Sequence, residues 1–184
     1  MTFEQLIPGF RPETALEREL AADPALLRGL AWGRPRPGHP EGSVGSHVAD
    51  ILAAITDPPG RRRDELRVLA LVHDGFKHRV RPGAGRSPDN DHAVLARRFA
   101  ERYVADPRLL DTLELHDEPY RIWRAGRHDR RAALEATLSG MPDLGLFLRF
   151  VELDSSTNGK DPRPLRWLRG VAAAQPVVRL ALAA

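Results

Sequence analysis

Cysteine is absent from the chain. That excludes disulfides and any thiolate metal site, and it agrees with a reducing compartment. A metal held by this protein would have to be held by nitrogen and oxygen. Lysine is nearly absent: of 28 basic residues only Lys77 and Lys160 are lysine, the rest arginine. Where arginine fills almost every generic cationic role, the two lysines stand out as positions suited to a compact ammonium. No apolar run approaches the roughly 18 residues of a membrane span. The N-terminal residues Met-Thr-Phe-Glu-Gln lack a basic, hydrophobic leader pattern. A cytoplasmic location with no membrane partner is expected. Charge of one sign is also missing, since 28 basic against 25 acidic residues leave a formal +3. The longest basic run is Arg61-Arg62-Arg63, so no nucleic-acid partner is expected.

What is present is 42% apolar residues over 184 positions, enough for one core. One domain is expected over 1–184: a helical extension (1–32), a catalytic core (33–174) and a tail (175–184). The apolar spacing predicts helices over 12–30 with a break at Asp23-Pro24, then 46–56, 62–73, 91–104, 107–116, 129–139, 143–154 and 165–174. A short segment opens at Pro119. Ser43 or Ser46 is a candidate cap for the 46–56 helix, and Asp89 or Asn90 for the next. The loops 33–46, 79–90 and 155–164 are rich in Gly, Pro and polar residues and are candidates for binding. No strand and no internal repeat is evident, so the fold class is all-α. The tryptophans and tyrosines read as core.

The helix over 62–73 is apolar on its buried positions yet ends in His73-Asp74. Burying an imidazole and a carboxylate is costly unless they are paired, hydrogen-bonded or metal-bound. His47, His92, His116 and Asp154 also fall at predicted helix ends. The intervals along His47, His73, Asp74, His92, His116 and Asp154 are 26, 1, 18, 24 and 38 residues. Apart from the adjacent pair, each spans about one helix and its connection, so successive helices could return a side chain to one place. An imidazole and carboxylate set suits Mn, Fe, Co, Ni, Zn or Mg. Six donors exceed the needs of one catalytic metal and suffice for two with a bridging carboxylate.

The order His47, His73-Asp74, His92, His116, Asp154 resembles the HD-domain superfamily, metal-dependent phosphohydrolases with a compact helical fold. The resemblance covers roughly residues 39–170. It implies that His47, His73, Asp74 and Asp154 hold one metal, and that His92 and His116 complete a second site with Asp74 bridging. It also implies that Lys77, in His73-Asp74-Gly75-Phe76-Lys77, contacts the substrate's anionic group. Asp74 and Lys77 are therefore the expected catalytic pair. Branches that cleave cyclic dinucleotides carry adjacent histidines where this chain has His116-Asp117, which argues against that activity. Asp117 reads as a partner for a ligating imidazole or as a cap for the segment after it.

Lys160 and Arg163 lie in the polar loop after Asp154 and are candidate substrate contacts, as is His39 in the loop before His47. The leading expectation is a two-metal phosphohydrolase acting on a small phosphorylated molecule or nucleotide. The same ligand order also resembles HD-type mixed-valent diiron oxygenases, which cleave C–C or C–P bonds with oxygen. A metal- or nucleotide-binding regulatory module is the third reading. The sequence does not fix the oligomeric state; a homodimer is compatible with it.

Overall fold

In the computed structural model the described residues are 2–36, 40–126 and 128–174. The predicted tail, 175–184, and His39 lie outside them. The described residues form α-helices and one 3-10 turn, with no named strand and an isolated bridge between Gly33 and Ser43. The fold is all-α.

The helices start where the sequence supplies caps. Asp23, Asp106 and Asp161 each precede a proline, and each carboxylate accepts a backbone N–H of the first turn. They open α3 (Pro24–Leu30), α7 (Pro107–Leu115) and α11 (Pro162–Ala172). Ser43 caps α4 (Val44–Ala54) by accepting from Ser46, Asp91 caps α6 (His92–Ala100), and Asp143 caps α10 (Leu144–Ser155). Two short elements were not expected: α1 (Phe3–Leu6) and the 3-10 turn Lys77–Arg79. The 12–30 stretch begins later than its proline suggests. Thr14 accepts from Glu17 N and starts α2 (Ala15–Ala22), leaving Pro12 ahead of the helix. The last helix begins three residues earlier than the apolar pattern indicates, because Asp161-Pro162 nucleates it.

The central element is α5 (Arg61–Val72), in which every residue from Glu65 to Val72 is buried. It packs against α2, α4, α7 and α10. Two of its buried side chains are charged and both are paired. Arg67 makes a two-pronged bond to Glu17, with Nε and a terminal nitrogen each 2.8 Å from a carboxylate oxygen. Glu65 accepts from Arg61 and Arg108. One apolar cluster joins α1–α7 to Leu146, Phe150 and Leu153 of α10. A second cluster joins Phe147 and Val151 of α10 to α9 (Arg130–Ser139) and α11. Ile122 of α8 (Glu118–Ala125) is packed on it. The N-terminal helices thus share the main core with the middle of the chain.

A correction concerns the aromatics. Trp32 and Tyr120 are not core: they are 41% and 44% exposed. Trp32 lines the inner of the two spaces described next and Tyr120 the outer, where its ring stacks beside Trp123 with centroids 6.3 Å apart.

Candidate metal centre

Three helix ends, of α5, α7 and α10, and two helix starts, of α4 and α6, converge at one place. His73 is the residue that ends α5 and Asp74 follows in the turn; His116 ends α7, Asp154 lies in the last turn of α10, and His92 begins α6. His47 lies one turn into α4. The turn after His73 is tight against α3. A Cβ on Gly29 would stand 1.6 Å from the Gly75 carbonyl oxygen, and one on Gly75 would stand 2.7 Å from Leu26 Cδ1.

The imidazoles are aimed by their backbones. His73 Nδ1 lies 3.0 Å from Ala70 O, and His116 Nδ1 lies 2.8 Å from Leu113 O. A carbonyl can only accept, so Nδ1 carries the proton in both rings and each Nε2 presents a lone pair inward. His73, His116 and Phe150 pack edge-on, fixing the ring planes: the Phe150 centroid is 5.3 Å from His73 and 6.3 Å from His116.

Asp74 sits among them. Its Oδ2 is 3.5 Å from His73 Nε2 and 3.9 Å from His47 Nε2; its Oδ1 is 3.4 Å from His92 Nε2 and 3.7 Å from His116 Nε2. Asp154 Oδ1 lies 2.8 Å from His47 Nε2 and 3.8 Å from His73 Nε2. The donor atoms fall into two groups, His47–His73–Asp74 and Asp74–His92–His116, with Asp74 in both. The Nε2 atoms of His73, His92 and His116 and Oδ1 of Asp74 are buried without a hydrogen-bond partner. Buried polar atoms without partners are costly. Nitrogen and oxygen donors converging in this way fit divalent cations and need no thiolate.

Electrostatics leave the acids charged and ready to ligate. Burial alone would raise Asp74, but Lys77 and the surrounding imidazoles outweigh it and hold its carboxyl well below the usual range. Burial likewise opposes ionisation of Asp154, and His47 with Lys160 outweighs it. Burial pushes His73 down to about 4, so it is neutral at physiological pH. For His116, burial is outweighed by Asp74 and Asp117, which raise it.

Lys77 Nζ stands 2.5 Å from Asp74 Oδ2 and stays protonated, because Asp74 and Asp117 outweigh its burial. It faces two adjoining spaces. The inner one is lined by Trp32, Arg36, Glu41, His47 and Asp74. The outer one is an open cleft of about 440 Å³ lined by Asp117, Tyr120, Asp154, Ser155 and Lys160. Arg36 and Lys77 border both, so the two adjoin. Lys160 Nζ is 3.9 Å from Asp154 Oδ1. Arg163 is placed differently. It is exposed, its guanidinium is bound to Asp161 and lies 5.6 Å over the Trp123 ring, and it is not among the residues bordering the cleft.

Sequence reasoning did not single out Arg36, Glu41, Trp32 or Tyr120. Arg36 and Glu41 lie in the Gly/Pro-rich loop read as a binding loop, and that was their only signal. Glu41 Oε1 lies 3.8 Å from His47 Nδ1.

No protein-family model, no curated protein and no solved structure matches this chain. The class is therefore set by the coordinates: an all-α protein with a buried histidine and aspartate cluster that could hold metal ions, compatible with an HD-type site. No helix among the described residues is long and apolar enough to cross a membrane.

Proposed function

We propose that this chain is a metal-dependent phosphohydrolase that uses two divalent cations to hydrolyse a phosphate ester of a small molecule or nucleotide. The observation that carries the reading is the pair of inward-facing donor groups sharing Asp74, with the Lys77 ammonium against that carboxylate and a cation-bordered cleft outside it. His47, His73, Asp74 and Asp154 would hold one ion, and Asp74, His92 and His116 the other. Two such ions supply Lewis acidity and a hydroxide at neutral pH.

The chain's own groups do the rest. Asp74 ties the two donor sets together, so a displacement of one shifts the other. Lys77 and Lys160 receive the anionic end of the substrate and neutralise charge that grows on it as the ester bond breaks. Arg36 is the remaining cation at the junction of the two spaces. The Nδ1 bonds of His73 and His116 keep their rings from rotating as charge changes in front of them.

The test is metal analysis of purified protein combined with a phosphatase screen across divalent metals. Asp74→Ala should lose both equivalents of metal and all turnover. Lys77→Ala should keep the metals and lose turnover by about 100-fold. Phosphate release from a metal-free Asp74→Ala protein would overturn the reading. So would two tightly bound irons with substrate-dependent oxygen uptake and no phosphate release.

A further inference from the structure

Of the seven aspartates that stand ahead of helices among the described residues, five, Asp23, Asp91, Asp106, Asp143 and Asp161, spend their carboxylates on backbone N–H groups of the first turn, whereas Asp129 ahead of α9 makes no cap bond. Asp117 stands in the same position ahead of α8, two residues before Pro119, and makes no such bond. Its backbone is helical rather than extended (φ −85°, ψ −11°), which turns the side chain away from the helix start. The carboxylate points toward the metal centre instead. Asp117 Oδ2 is 3.4 Å from His92 Nε2, the same distance that separates that nitrogen from Asp74 Oδ1.

An imidazole between two carboxylates, bonded to neither, is an unusual resting arrangement. A single N–H would settle on one oxygen at hydrogen-bond length, as His47 does on Asp154 at 2.8 Å. Donors arranged side by side around one cation, with bonds of about 2.0–2.2 Å, stand roughly 3 Å apart. The two 3.4 Å separations are close to that spacing. A second observation points the same way: the Nε2 of His116, buried to 2% exposure, has no hydrogen-bond partner and faces the same Asp74 oxygen. The Lys77 ammonium offsets part of the repulsion between Asp74 and Asp117, but it sits on Asp74 Oδ2, whereas the oxygen that faces His92 is Oδ1.

We propose that Asp117 is the fourth protein ligand of the second cation site, joining Asp74, His92 and His116. The assignment rests on the two-cation reading above and extends it. It makes the second site rich in charge, with two carboxylates and two imidazoles, which favours a hard divalent ion over a soft one. It also places one ligand at the rim of the substrate cleft, since Asp117 borders that cleft beside Lys77.

The experiment is metal stoichiometry and affinity, with no turnover required. Metal-stripped protein is titrated with Mn²⁺ by calorimetry, and the retained metal is counted after dialysis. Wild type should bind two equivalents. Asp117→Ala should keep the first and bind the second at least about 10-fold more weakly. Asp117→Asn, which keeps the shape and an acceptor but removes the charge, should also weaken the second equivalent. Circular dichroism and melting of the metal-stripped variants should match wild type. If wild type binds fewer than two ions, the two-cation reading fails and this assignment with it. If wild type binds two and Asp117→Ala binds both unchanged, only the Asp117 assignment is overturned. Weakening in Asp117→Ala with unchanged affinity in Asp117→Asn would make Asp117 an orienting group and equally overturn its role as ligand.

Discussion

Gly29 is a helix-interior glycine whose reason lies far along the chain. With a Cβ 1.6 Å from the Gly75 carbonyl oxygen, no side chain fits without moving α3 off the His73-Asp74 turn. Gly29→Ala is therefore expected to destabilise the fold by about 1–3 kcal/mol through overpacking, although alanine is the better helix former. Urea unfolding checks this. Because the displaced group is the backbone next to Asp74, the variant should also hold metal less tightly than wild type. Gly170 tests the alternative, that helical glycines here are merely weak points: a Cβ there meets nothing within 4 Å. Gly170→Ala should stabilise by roughly 0.5–1 kcal/mol, and a loss of stability there would undercut the packing explanation. Neither contrast is visible in the sequence, where both glycines look alike. His73-Asp74 is the opposite case. Its chemistry could be read because an apolar helix ending in two polar groups is a local contradiction, and the structure surrounds that pair with further donors.

At the scale of elements, the N-terminal helices are clamped to the core by charge as well as by leucines. Glu17 of α2 is fully buried against Arg67 of α5. Glu17→Ala leaves a buried guanidinium with reduced compensation and should cost about 3–5 kcal/mol in denaturant unfolding. Glu17→Ala combined with Arg67→Met should recover most of that loss, and failure to recover would mean that packing rather than charge is at stake. Asp23 makes the second clamp. It caps α3, accepts from Tyr103 at 2.6 Å and pairs with Arg102, just past α6. Burial pushes its carboxyl up, but these bonds outweigh it and the net shift is downward. A group with a lowered folded pKa stabilises fully above its unfolded value, about 3.9, and loses that contribution as pH falls through the folded value. Asp23→Asn should thus melt below wild type near neutral pH, with the gap closing as the pH drops below about 4. A gap that stays constant would assign the effect to geometry. The Asp-Pro starts of α3 and α7 were legible because cap and proline are adjacent in sequence, whereas the same pair at Asp161-Pro162 was read as part of the polar loop 155–164. The pairing of Glu17 with Arg67 was not legible, since nothing local distinguishes it from surface charge. The same holds for the cleft: Trp32 and Tyr120 read as core until their exposure is seen.

At the scale of the molecule, α10 is the wall between two cores. Leu146, Phe150 and Leu153 face the cluster built on α1–α7, while Phe147 and Val151 face the cluster of α9 and α11. Asp154 follows on the same helix, so its position relative to Asp74 depends on both sides being filled. The two phenylalanines are equally buried, at 0% exposure. Each should lose about 3–5 kcal/mol on truncation to alanine, and stability alone would not tell them apart. Their neighbours do. Phe150 lies edge-on against His73 and His116, whereas Phe147 packs in the second cluster with α9 and α11. Phe150→Ala removes the surface that fixes both rings and should weaken metal binding as well as stability. Phe147→Ala should unfold as readily but, while folded, should bind metal like wild type. Calorimetric metal titration well below each variant's melting temperature separates the two. Equal metal affinity in both variants would mean that the Nδ1 bonds to Ala70 and Leu113 suffice to aim the imidazoles. A loss in both would mean that the placement of Asp154 by α10 as a whole, rather than ring packing, governs the centre.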